Sequence, residues 1–274
     1  MKENQNKNYD KKAILAVSSG TAYKEAIKLN IEACELEIAG AFPEYDIRRA
    51  FTSFPVLKKL KEKDNIHIDN VEEALKRIIG ENYSKIIIQP LHVIPGDEFH
   101  EKILRNIAKY KEKFDDISSG MPLLFNMDDY LKVIEGIKHQ IPELKKEEAV
   151  LFMGHGTKHP ANAAYSCLQM MMEDQGLQVY IGTIDHYPDL RDIIRRLKRD
   201  SIQKVTLMPF MLTAGGHASD DMAGDGNNSW KSILESEGFL INVYLHGLGE
   251  NPIIRDIFVE HTAYAVNKIS DGRV

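Results

Sequence analysis

Histidine and carboxylate side chains recur in this chain just after short apolar runs. His155 stands between two glycines in LFMGHGTKHP, directly after Val150 to Met153. His92 and Glu98 follow the run that begins at Lys85, Asp185 and His186 the run at 177–184, and His217 the run at 204–212. Imidazole with carboxylate suits a borderline divalent ion such as Zn, Co, Ni or Fe. Two imidazoles and one carboxylate would leave positions open on that ion, as metal-dependent chemistry or metal hand-over requires. A neutral imidazole is also a general base near pH 7. The same residues have a plainer reading, because Gly154 and Gly156 suit a tight turn with positive φ whatever His155 does.

The elements that would position these groups alternate along the chain. Apolar runs at 13–18, 47–51, 85–93, 117–121, 148–153, 177–185, 204–212 and 239–245 read as strands. Amphipathic stretches at 22–41, 54–63, 70–81, 98–114, 128–140, 160–174, 189–199, 218–237 and 252–267 read as helices. Strand alternating with helix predicts an α/β fold of βαβ units, with mainly parallel sheets flanked by helices. In such folds ligands bind outside the carboxyl ends of the strands, which is where the imidazoles and carboxylates fall.

The two halves repeat each other. AILAVSSGTAYKEA can be laid on AVLFMGHGTKHPANAA, matching Gly20 and Thr21 to Gly156 and Thr157, and Ser19 to His155. KIIIQPLHVIPGDE lies without a gap on KVTLMPFMLTAGGH, matching Pro90 to Pro209, Gly96 to Gly215 and Glu98 to His217. The expected organisation is a disordered tail over 1–12, one α/β lobe over 13–142, a similar lobe over 143–274, and a cleft between them.

The bulk properties set limits. The chain has 274 residues and a formal net charge of -6, which argues against general nucleic-acid binding. Cys34 and Cys167 form no CxxC pair, so neither a disulfide framework nor a thiolate metal site is expected. MKENQNKNYDKK lacks the apolar stretch of a signal peptide, and no run is long enough to span a bilayer. A soluble, cytoplasmic protein without a membrane partner is expected. GxGxxG, GxxxxGK[ST] and GxSxG are all missing, which disfavours nucleotide loops and the commonest α/β-hydrolase elbow. No exposed apolar stripe stands apart from the core pattern, so homo-oligomerisation stays open.

MGHGTKH after a strand, LHVIPGDE, MPFMLTAGGHASDDM, SWK and GLGENPIIR, with AFTS at 50–53 and PLL at 122–124, resemble the anaerobic cobalt chelatases. These are sirohydrochlorin cobaltochelatases of vitamin B12 synthesis, relatives of the class II ferrochelatases. The resemblance runs from about residue 12 to 267. It implies two α/β lobes around a cleft and ATP-independent insertion of a divalent ion, chiefly Co(II), into a sirohydrochlorin-type tetrapyrrole. The ion is then a substrate, and no organic cofactor is expected. The family's metal-binding histidines map to His155 and His217, and its acidic GDE residue to Glu98. Its third ligand, a glutamate before a YP pair, is here Asp185, one methylene shorter. Gly216 stands where relatives often carry aspartate.

On this reading His155, His217 and Asp185 are the metal ligands, and His155, His217 and Glu98 the catalytic groups. Glu98 would handle protons or guide the ion, with His92 assisting. Glu250 reads as structural, at the cap before a helix, and His159 as the start of a helix without a chemical role. A polycarboxylate substrate calls for local donors in an acidic chain. Arg48 and Arg49 are candidates, as are the backbone N–H groups from Ser18 to Thr21. The substrate-binding set is Ser19, Gly20, Thr21, Arg48 and His92, while Lys58 and Lys59 read as a solvated face. Insertion of iron or nickel, and a non-catalytic metal or tetrapyrrole carrier, remain the alternatives.

Overall fold

The computed structural model describes residues 11–270. The first ten residues of the expected tail lie outside that range, and Lys12 already opens the first strand. The strands are β1 (Lys12–Ser18), β2 (Asp46–Phe51), β3 (Lys85–Pro90), β4 (Asp116–Ser119), β5 (Glu148–Gly154), β6 (Val179–Thr183), β7 (Lys204–Pro209) and β8 (Leu240–Val243). They form two four-stranded sheets, β2-β1-β3-β4 and β6-β5-β7-β8, and every pairing is parallel. The α/β reading with two similar, parallel-stranded halves is therefore correct, and the structure adds that both halves share one strand order.

Ten α-helical stretches accompany the strands among the described residues. In the first half they are α1 (Lys24–Ala26), α2 (Ala33–Ala41), α3 (Phe54–Asp64), α4 (Val71–Gly80), α5 (Arg105–Tyr110) and α6 (Met127–Lys138). In the second half they are α7 (Ala163–Asp174), α8 (Leu190–Arg199), α9 (Trp230–Ser236) and α10 (Pro252–Ser270). Three π-helical segments, Ile27–Glu32, Glu98–Leu104 and His217–Met222, interrupt this pattern. Asn126 and Asp189 start α6 and α8 with reciprocal capping boxes, so sequence and helix boundary agree there.

Strand pleating divides the core. In β1, Ala13, Leu15 and Val17 face an outer apolar layer shared with α4. In β5, Ala149, Leu151 and Met153 do the same with α8 and α9. Their alternate neighbours, Ile14 and Ala16 of β1 and Val150 and Phe152 of β5, share one inner layer that runs through both halves. Successive side chains in a strand point to opposite faces, so a run apolar at every position needs cover on both. Each sheet is covered on the outside by its own helices, and the inner layer joins the halves.

The last helix of each half leans on the other half. Helix α6 contacts α7 of the second half, and α10 lies against α2, α6, β3 and β4 of the first. Residues 142–147 lie between β4 and β5, and α10, late in the sequence, packs chiefly on elements of the first half. Sheet edge β4 needs apolar cover, and Ile254, Ile257, Phe258 and Ala265 on α10 are fully or almost fully buried. Polar contacts fix the docking. Thr262 Oγ1 donates to Gln89 Oε1 at 3.1 Å. The His261 ring lies 3.0 Å from Met121 O through Nδ1 and 3.0 Å from Asp129 Oδ1 through Nε2. No helix among the described residues is long and apolar enough to cross a membrane.

Candidate active site

A cavity of about 690 Å³ opens at the carboxyl ends of the central strands, lined from both halves. Its two sides are built alike. Gly20 after β1 and Gly156 after β5 both have φ +83°. A Cβ on Gly20 would lie 2.3 Å from the Phe51 ring, and one on Gly156 would lie 1.9 Å from Asp185 O. Both turns therefore require glycine for conformation and for space. The matched residues also meet across the lobes. A Cβ on Gly96 would lie 3.4 Å from Thr157 Cγ2, and one on Gly215 would lie 2.6 Å from Thr21 Oγ1. Asp97 of the first half accepts from Thr157 Oγ1 at 2.9 Å.

The second-half side presents the two histidines. His155 is exposed to the cavity from the β5 turn, and His217 opens the π-helical segment after β7. Their ring centroids lie 5.0 Å apart, edge to face at 85°. His155 Nδ1 is 3.2 Å from Gly156 O, and His217 Nδ1 is 2.6 Å from Asp221 Oδ2. A carbonyl or carboxylate oxygen accepts only, so in each ring Nδ1 carries a proton and Nε2 is the nitrogen left to face a ligand. Asp185 is tied to the same turn, since its N–H donates to His155 O at 3.0 Å. Its carboxylate is exposed at the cavity. Among the described residues no three His, Cys, Asp or Glu side chains are already gathered closely enough to hold an ion. The imidazole pair is formed, and Asp185 stands beside it rather than joined to it.

The first-half side presents a carboxylate. Glu98 opens the π-helical segment after β3, at the position matched to His217, and Ser19 is matched to His155. Ser19 Oγ donates to Glu98 Oε2 at 2.6 Å, Thr52 Oγ1 to Oε1 at 3.0 Å and Lys102 Nζ to Oε1 at 2.9 Å. His92 Nε2 lies 3.2 Å from Oε2, off the line of a hydrogen bond, so this contact is electrostatic. Burial pushes the Glu98 carboxyl up, but His92, Ser19 and Lys102 outweigh it and hold the group far below the usual carboxylate range. His92 is buried, and neither of its ring nitrogens has a hydrogen-bond partner.

The structure thus gathers Ser19, Gly20, Thr21, His92, Glu98, His155, Asp185 and His217 around one cavity. It leaves Arg48 out. Arg48 pairs with Leu15 in the middle of β1, whereas the cavity lies beyond Ser18, about 10 Å further along at strand rise. Its guanidinium donates to Glu81 at 2.6 Å and to Tyr83 Oη at 2.7 Å. Arg49 is held by Glu35 and Glu32. The cations at the cavity are instead Lys59 and Lys158. Lys59 is exposed, as expected of a solvated face, but lies over the Tyr23 ring at 5.3 Å at the cavity rim. Lys158 was legible in GTKH, one residue past the matched threonine. Tyr165 and Phe210 give the cavity an apolar wall. Glu250 accepts from His246 and from Gly247 N–H, and His159 caps the short helix Pro160–Asn162.

Two α/β lobes with strand-end donors around a cleft define a protein of the two-lobed chelatase class, and solved structures share the fold. SirB from Bacillus subtilis with Fe3+ superposes with a TM-score of 0.61 at 16% identity, covering 96% of this chain and 98% of that one. CbiX, described as the terminal enzyme for biosynthesis of siroheme in denitrifying bacteria, gives 0.53 at 17% identity, covering 92% and 99%. The chain belongs to the cobalt chelatase (CbiK) family, whose model matches residues 12–267. It is 42% identical over 257 residues to the sirohydrochlorin cobaltochelatase of Salmonella typhimurium, covering 94% of this chain and 97% of that protein. It is 31% identical over 273 residues to the sirohydrochlorin cobaltochelatase CbiKC of Nitratidesulfovibrio vulgaris, covering 99% and 96%.

Proposed function

We propose that this protein is a sirohydrochlorin cobaltochelatase, a lyase that inserts Co(II) into a sirohydrochlorin-type tetrapyrrole in anaerobic cobalamin synthesis. The observation that carries the assignment is the His155–His217 pair, with each Nδ1 hydrogen-bonded and each Nε2 left for a ligand, lining a cavity of about 690 Å³. Family membership supports the same reaction.

Insertion makes three demands. The ion must be held with open positions, which two imidazoles and Asp185 provide. The ring must be gripped, which the apolar wall does for its faces and Lys59 and Lys158 do for its carboxylates. Two pyrrole protons must leave as metal–nitrogen bonds form. Glu98 is too weakly basic for that, because its depressed pKa keeps it ionised. It serves as a fixed negative charge that draws the cation in. The proton acceptor in this reading is one of the two cavity imidazoles, His155 or His217.

The test is an insertion assay with sirohydrochlorin and Co(II), Fe(II) or Ni(II), followed by absorbance. Acceleration over the uncatalysed rate is expected, greatest with Co(II). No acceleration with any of the three ions would overturn the assignment. Lys59→Met and Lys158→Met are expected to raise KM for the tetrapyrrole several-fold, on the order of 1 kcal/mol per lost charged contact, with kcat little changed. Steady-state kinetics check this, and an unchanged KM in the double variant would remove these lysines from the substrate site.

A further inference from the structure

Four non-glycine residues among those described have positive φ: Asn65, Asn82, His186 and Ser201. Three of them end helices. Asn65 is the C-cap of α3, and Asn82 and Ser201 follow the C-caps of α4 and α8. A left-handed residue there lets the chain leave the helix with its last carbonyls satisfied. His186, at φ +74°, has no such role, since it lies in the loop between β6 and α8. Left-handed backbone costs free energy for any residue with a Cβ, and glycine would avoid the cost.

The surroundings hold this conformation in place. Thr183 Oγ1 bonds Asp185 O at 2.8 Å and His186 O at 3.0 Å. Thr183 N–H donates to Pro188 O at 2.8 Å, and Asp185 N–H to His155 O at 3.0 Å. The His186 ring itself takes part in no hydrogen bond or ion pair among the described residues. It is exposed and lines the cavity, directly after Asp185. A strained residue whose side chain adds nothing to the fold, fixed by its neighbours at the rim of a site, points to use of that side chain.

We propose that His186 is a metal-binding residue that takes the incoming divalent ion at the cavity rim, beside Asp185 and the His155–His217 pair. Its imidazole adds a nitrogen donor next to a carboxylate of short reach. It therefore biases the site toward ions that favour nitrogen, such as Co(II) and Ni(II), over Mn(II). This rests on the chelatase reading above.

The test uses the full chain and metal alone, without tetrapyrrole. His186→Gly removes the ring and relieves the left-handed strain, so Tm is expected to hold or rise. Co(II) affinity by calorimetric titration is expected to fall roughly tenfold, the scale of losing one contributor to a metal site. Mn(II) affinity is expected to change by less than about twofold, because Mn(II) gains least from imidazole. His186→Asn, which also tolerates positive φ, is expected to repeat the result. Wild-type Co(II) affinity in both variants, with His155→Ala and His217→Ala binding weakly, overturns the proposal and leaves the main site standing. Wild-type affinity in His155→Ala and His217→Ala overturns the underlying site and this proposal with it. A lowered Tm together with weaker binding of Co(II) and Mn(II) alike in both His186 variants marks a structural turn and also overturns it.

Discussion

His155→Ala and His217→Ala are each expected to slow Co(II) insertion by at least about 100-fold, the lower end of what one proton-handling or ligating group contributes. Each removes one of two imidazoles whose centroids are 5.0 Å apart, and without the facing pair the remaining donors cannot hold an ion with defined orientation. The fold should not suffer. Both side chains are exposed in the cavity; the turn of His155 is set by Gly156 and the backbone bond from Asp185 to His155, and that of His217 by the close approach at Gly215 and the Ser219 N–H bond to Gly215 O. Tm measured beside the rate separates loss of chemistry from loss of structure. The double variant is expected to be little worse than either single, because the pair acts as one unit. Full activity in both singles would place the chemistry elsewhere in the cavity.

The second large effect concerns stability. Asp129→Ala or His261→Ala is expected to cost about 3–5 kcal/mol, because each leaves a buried partner unpaired. Side-chain exposure is 8% for His261 and 3% for Asp129. On a chain of this size the loss corresponds to a fall in Tm on the order of 10 °C. Burial alone would raise the Asp129 carboxyl. Hydrogen bonds from His261 and from the Asn126 and Phe125 backbone N–H groups outweigh it and hold the group below its usual value. A carboxyl depressed on folding contributes stability that is complete above about pH 4 and is lost as pH falls through the lower folded value. Wild type and Asp129→Asn should therefore differ most near neutrality and converge in acid. Thermal unfolding between pH 7 and pH 3 checks this, and parallel curves would show that the pair does not carry the acid sensitivity.

Much of the site was legible because it depends on local rules. A strand reveals itself by a short apolar run, and glycine after the run announces a turn, so the strand ends and their polar residues could be read directly. The ungapped match of Glu98 to His217 and Gly96 to Gly215 holds in space, with both Glu98 and His217 opening π-helical segments. Arg48 failed for a definable reason. Its strand lies where the apolar run at 47–51 places it, but Arg48, expected at the strand's end, pairs with Leu15 in mid-sheet, and three residues of strand separate it from the cavity edge. Lys59 sits in a helix charge run, which reads as solvated, and only the folded chain brings its exposed side chain over Tyr23 at the cavity.

Sequence by itself determined the elements, their parallel pairing, and the placement of His155, His217, Asp185 and Glu98 at strand ends. Those properties follow from periodicity and turn chemistry within some ten residues. Tertiary structure decided which distant groups meet. It closed α10 over the first sheet through His261 and Asp129, 132 positions apart. It buried His92 against Glu98, and it displayed His186 in a left-handed turn held by Thr183. Such pairings depend on how whole layers pack, and no local pattern of residues encodes that.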